Sequence, residues 1–161
     1  MIFRSTSLLA FLLATPLLAH EPLEVGGADI HILLDREASG GSFGMFTVTQ
    51  SGPNGPPRHI HDDADEAFFI VDGEFEILSG DDIVVVPEGE AAFAPKGMVH
   101  TFRSTKEDGG TILVIVTPGG FEGFFHQVVE EGVSPVENME RFLEISEKFQ
   151  QRIAGPPLGM E

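Results

Sequence analysis

Cysteine is absent from this chain of 161 residues. No disulfide, thiolate ligand, zinc ribbon or cysteine nucleophile is therefore available. Any bound metal must rest on histidine and carboxylate donors. Tryptophan and tyrosine are absent too, against 14 phenylalanines. Buried aromatic surface then carries no indole N–H or phenol hydroxyl in need of a partner. Cations are scarce: 9 Lys and Arg stand against 26 Asp and Glu, for a formal net charge of −17. That balance argues against nucleic acid, whose phosphates need Lys and Arg, and against docking on anionic lipid. It reads as a soluble, self-repelling surface. No apolar run approaches the roughly 20 residues of a membrane-spanning helix.

What is present suits one domain. Hydrophobic residues make up 42% of the chain, enough for a sizeable core at this length. Met1 to Ala19 has the form of a secretory signal. Arg4 supplies the positive start, Leu8 to Ala14 the short apolar stretch, and Ala19 a small residue before a cut. The expected mature chain, 20–161, is periplasmic or secreted, with no membrane association once the signal is removed; the alternative is that the segment stays on as an uncleaved anchor.

Between Ile30 and Thr117 the chain reads as short strands separated by Gly, Pro and Asp turns. Ser51 to Pro57 is a loop dense in Gly and Pro, and Asp72-Gly73 is a hairpin signal between apolar runs. Ile83 to Val86 is β-branched and apolar, as a buried strand should be, and Thr111 to Thr117 reads as a last apolar strand. No long helical pattern alternates with these strands, which speaks against a parallel α/β sheet and for an all-β sandwich or a single small barrel. After Gly120 the period changes. Phe121, Phe124, Phe125, Val128 and Val129 fall on one helical face. Ser134-Pro135 with Glu137 predicts the capped start of a second helix, with Val136, Met139, Phe142, Leu143 and Phe149 facing inward. The helical tail is expected over about 120–154.

The chemistry concentrates in Arg58 to Phe69. On an extended segment His59 and His61 project from one face, and a hairpin return brings Glu66 beside them. His100 can join from another strand. Three neutral imidazoles and one carboxylate form a mixed nitrogen and oxygen site suited to one divalent transition metal: Mn, Fe, Co, Ni, Cu or Zn. Four protein ligands on an octahedral ion leave two positions open. His31 and His126 have no such context and read as ordinary histidines. Asp62, Asp63 and Asp65 read as a solvated acidic turn that could hydrogen-bond a ligand imidazole.

These residues resemble the cupin family. The first cupin motif, G-x5-H-x-H-x3,4-E-x6-G, is met by His59, His61, Glu66 and Gly73. The second, G-x5-P-x-G-x2-H-x3-N, is met by Gly89, Pro95, Gly97 and His100. Pro53 stands where the first pattern has Gly, and Ser104 where the second has Asn; neither position is a ligand. The resemblance implies a cupin jelly roll over about 30–117 with two C-terminal helices, and a homodimer.

Ser39-Gly40-Gly41, the Gly55 to His61 loop, Thr117 to Phe125 and the Gly155 to Leu158 tail together further resemble small bacterial cupins of the quercetin 2,3-dioxygenase type. That resemblance implies a metal enzyme that opens a flavonol ring with O2. His59, His61, Glu66 and His100 would bind the metal, and Glu66 would also act as catalytic base. Phe68, Phe93 and Phe102 are candidate pocket walls. The expected partners are a small-molecule substrate and O2. The alternatives are a metal or small-ligand binder without turnover, or a cupin isomerase acting on a small sugar or acid.

Overall fold

The computed structural model of the protein describes residues 21–160. The expected signal segment, Met1 to Ala19, lies outside the described residues. In chain order the strands are β1 (Leu23–Val25), β2 (Ala28–Leu34), β3 (Gly44–Gln50), β4 (Arg58–His61), β5 (Asp65–Asp72) and β6 (Glu74–Ser79). They continue as β7 (Asp82–Pro87), β8 (Ala91–Ala94), β9 (His100–Ser104) and β10 (Gly110–Thr117). Helices α1 (Glu122–Glu131) and α2 (Met139–Lys148) follow, and then a last strand, β11 (Gln151–Gly155).

The strands form two antiparallel sheets. One has six strands in the order β1-β2-β3-β10-β5-β8, the other five in the order β11-β4-β9-β6-β7. No ladder joins the sheets among the described residues, so the architecture is a jelly-roll sandwich and not a closed barrel. Alternation decides which side chains fill it. Phe46 and Val48 on β3, Phe68 and Ile70 on β5, and Ile112, Val114 and Val116 on β10 are buried from one sheet. Phe75 and Ile77 on β6 and Phe102 on β9 meet them from the other. Each such side chain stabilises the fold by about 1.5–3 kcal/mol through burial. Two inward rows carry a polar residue at one end: Gln50 on β3 and Glu66 on β5 are both buried.

Turn chemistry sets where the strands reverse. Gly73, between β5 and β6, has φ of 87°, and Gly97, before β9, has φ of 76°. These left-handed conformations favour glycine, as both motif positions require.

The tail departs from expectation. The first helix forms with Phe124, Phe125 and Val128 buried and Phe121 at its N-cap, but Val129 faces out. Gly132, left-handed, ends it, and the Val133 N–H donates to the Val128 carbonyl. The second helix starts at Met139, not at Ser134-Pro135. Asn138 caps it by accepting from the Arg141 N–H, so the anticipated Ser134 box does not start a helix. Val136 is 93% exposed, and Met139 and Leu143 are also exposed; Phe142 and Ile145 carry the buried face.

The tail is also not helical to residue 154. Gln150, with φ of 57°, turns the chain out of α2. β11 then pairs with β4, placing Gln151 opposite His61 and Ile153 opposite His59. Arg152 donates to both carboxylate oxygens of Asp62, and the Asp62 N–H donates to the Gln150 carbonyl. The C-terminal segment thus builds the sheet edge beside the histidine strand. Among the described residues no helix is long and apolar enough to cross a membrane.

Candidate metal centre

The two sheets supply different donors. β4 alternates so that His59 and His61 are buried while Arg58 and Ile60 are half-buried. β9 pairs with β4 such that His100 is the direct partner of His59. Those three imidazoles belong to the five-stranded sheet. Glu66 comes from the opposing sheet, in the same inward row as Phe68 and Ile70. The site therefore bridges the sandwich.

One donor atom from each of the four residues lies within 4.8 Å of the others. Glu66 Oε1 is 3.5 Å from His61 Nε2, and Glu66 Oε2 is 2.9 Å from His100 Nε2. His100 Nε2 is buried, with the Glu66 carboxylate its close polar neighbour. The rings of His59 and His100 have centroids 4.5 Å apart, and the His61 ring packs edge-on against Phe121 at 4.3 Å.

Backbone carbonyls orient two of the rings. His59 Nδ1 lies 2.7 Å from the Pro57 carbonyl, and His100 Nδ1 lies 2.9 Å from the Met98 carbonyl. An Nδ1–H donated to each leaves the Nε2 lone pair free. Both ring nitrogens of His61 are buried without a hydrogen-bond partner.

Burial and mutual proximity shape the charges. Burial first, then the neighbouring His100 and His61, lower the His59 pKa to about 3. For Glu66, burial pushes upward, but His61 and His100 outweigh it and hold the carboxyl well below its usual range. Burial works against protonated His100, yet Glu66 beside it raises its pKa. Four buried polar groups with few partners are costly in an otherwise apolar interior.

A metal ion answers that cost. The residues fit one: aligned or unpartnered imidazole nitrogens, one ionised carboxylate, and donor spacings that a single ion with bonds of about 2.0–2.2 Å can span. All four residues singled out in the sequence are brought together. His31 and His126 stay apart from this cluster. Asp62 binds Arg152, and Asp65 accepts from the Lys96 N–H; neither carboxylate makes a hydrogen bond to a ligand imidazole.

A cavity of about 810 Å³ reaches the centre, with His59 and Glu66 on its wall. Phe102 lines it, as expected. Phe68 instead lies in the core with its ring 6.1 Å from that of His100, and Phe93 is 56% exposed on the outside. Period-two alternation could have flagged Phe93, because its β8 neighbour Ala94 is fully buried. Phe46, Phe121, Phe124, Phe125 and Phe142 are the further aromatic walls, joined by the amides Gln50, Asn54 and Gln151. No sequence signal marked those amides.

Comparison with known proteins agrees with this architecture. No curated protein matches the sequence. The family model described as cupin domain matches residues 45–116, which include all four donors. Among solved structures, KdgF from Halomonas sp. is similar with a TM-score of 0.58 at 18% identity, covering 65% of this chain and 91% of that one. A predicted oxalate decarboxylase from Thermotoga maritima has a TM-score of 0.54 at 18% identity, covering 56% and 80%. An RmlC-like cupin from Shewanella frigidimarina has a TM-score of 0.52 at 19% identity, covering 62% and 82%. At such identities the likeness speaks for the fold alone. The fold is thus the jelly roll shared with these structures, and residues 45–116 of it, which carry the four buried donors, are similar to the cupin domain.

Proposed function

We propose that the protein is an exported, metal-dependent dioxygenase acting on a flavonol-like or other enolisable aromatic molecule. The observation that carries this reading is the pairing of the donor cluster with its cavity. His59 and Glu66 face a space walled by Phe46, Phe102, Phe121 and Phe125, and no Lys or Arg lines it among the described residues. Such walls suit a flat, uncharged aromatic and offer nothing to a sugar phosphate.

A divalent metal held by His59, His61, Glu66 and His100 would supply Lewis acidity and open coordination positions. The chain's own residues do the rest. Glu66, kept ionised by the buried imidazoles, accepts the proton of the substrate's acidic hydroxyl at a carboxylate oxygen. The Pro57 and Met98 carbonyls fix the rings of His59 and His100. The phenylalanine walls orient the ring system and exclude water.

Anaerobic addition of a flavonol to metal-loaded protein is expected to shift the flavonol absorbance, with bleaching and CO release on admission of O2. Binding without O2 uptake across a flavonol panel would favour a small-ligand binder. No shift at all would reject the substrate class.

Export and dimerisation belong to the same proposal. Export rests on the signal-like N-terminus and is checked by finding the protein in a periplasmic or culture fraction. A homodimer is supported by the sheet edge at β7, where Ile83, Val84 and Val85, expected from their β-branched run to be buried, are all exposed and only Val86 is buried. An open apolar edge of this kind pairs readily with a second copy. Sedimentation giving a monomer at micromolar concentration would reject it.

A further inference from the structure

The amide side chains of the cavity have no role in holding a metal, yet they are placed with it. Cross-strand partners project to the same face of a sheet. Gln151 is the partner of His61, so its side chain shares the inner face with that imidazole. It is 5% exposed and lines the cavity, and its Oε1 is buried without a hydrogen-bond partner. Asn54, on the loop before β4, lines the same cavity and also has a buried, unpartnered Oδ1. Buried amide oxygens left unpaired are uncommon, since each forfeits its hydration.

The chemistry of these groups limits what meets them. Amide oxygens accept and do not donate. Among the described lining residues no Lys or Arg stands beside these oxygens, so a carboxylate or phosphate placed against them would meet only other acceptors. Hydroxyl groups on an uncharged, largely apolar scaffold satisfy the oxygens without charge.

We propose that Gln151, assisted by Asn54, is a specificity-determining residue that accepts hydrogen bonds from free hydroxyls of a neutral polyhydroxylated aromatic ligand. This rests on the reading of the cavity as the site of a flavonol-like substrate, and it extends that reading from the ring system to its peripheral hydroxyls. A site built around unpaired acceptors discriminates strongly against an analogue lacking the matching donor.

The test compares two probes on metal-loaded, oxygen-free protein by absorbance titration: quercetin, with several ring hydroxyls, and 3-hydroxyflavone, with only the metal-binding one. The wild type is expected to bind quercetin about tenfold more tightly, and Gln151→Leu to reduce that preference by about three- to tenfold. Metal content should stay at the wild-type level. Gln151→Met, which keeps length and flexibility, should behave likewise and guards against misfolding of the leucine variant. An unchanged preference in folded, metal-replete variants overturns the assignment of Gln151 while leaving the flavonol reading intact. Failure of the wild type to bind either probe overturns both.

Discussion

His59 and His100 are direct cross-strand partners, and each presents its Nδ1 to the carbonyl of the residue two positions before it. Two strands of one sheet thus use the same local device to aim Nε2 at a common point. Glu66 closes the site from the opposite sheet. A metal there would tie the two layers of the sandwich together, and the four donors converge only in the folded chain.

Stability should therefore depend on metal. At a free concentration near one hundred times its Kd, a divalent ion should add about 2.7 kcal/mol. For a chain of this size that corresponds to a Tm rise of roughly 5–11 °C. Differential scanning calorimetry with metal and with chelator checks this. His100→Ala should abolish the metal-dependent rise.

Acid should destabilise the metal-free protein through His59. Its folded pKa is about 3 against the ordinary 6.5. Between those values the unfolded chain binds more protons, so stability falls as pH drops from 6.5 towards 3, by up to about 1.4 kcal/mol per pH unit. Glu66 acts in the same direction below its ordinary carboxylate range, because its folded pKa is lowered. His100 is opposite: its raised pKa gives a contribution present below 6.5 and lost as pH climbs through the raised value. Urea midpoints of chelator-treated wild type and His59→Gln from pH 4 to 7 should show a shallower pH slope in the variant.

The two motif glycines should differ in how they tolerate a methyl group. Gly73 and Gly97 both have left-handed backbones, which cost about 1–2 kcal/mol for alanine. A Cβ on Gly73 would also meet the Gly109 carbonyl oxygen at 3.0 Å, whereas one on Gly97 meets nothing within 4 Å. Denaturation should rank Gly73→Ala as more destabilising than Gly97→Ala. The Gly97 N–H donates to the His61 carbonyl, and alanine keeps that donor, so metal binding should survive in Gly97→Ala.

The donor set was legible because its pattern is local and chemically rare. His59 and His61 share a face by alternation, and fixed spacings from Gly73 and Gly97 place Glu66 and His100. The sheet partners of those residues were not legible. Gln151 follows a helix without any β-branched run to mark a strand, and its meaning depends on β11 reaching β4 across the sequence. Val136 sat at helical spacing but fell in a turn, because Asn138 captures the helix start. Phe93 looked like a pocket wall by type, and one step of alternation on β8 put it outside.

The central claim is that His59, His61, Glu66 and His100 hold one metal ion. Elemental analysis of protein purified from its native compartment tests it most directly, with Glu66→Ala and His100→Ala prepared in parallel. The account predicts close to one divalent transition-metal ion per folded wild-type chain and a marked loss in both variants. Equal metal content in all three folded proteins would contradict it.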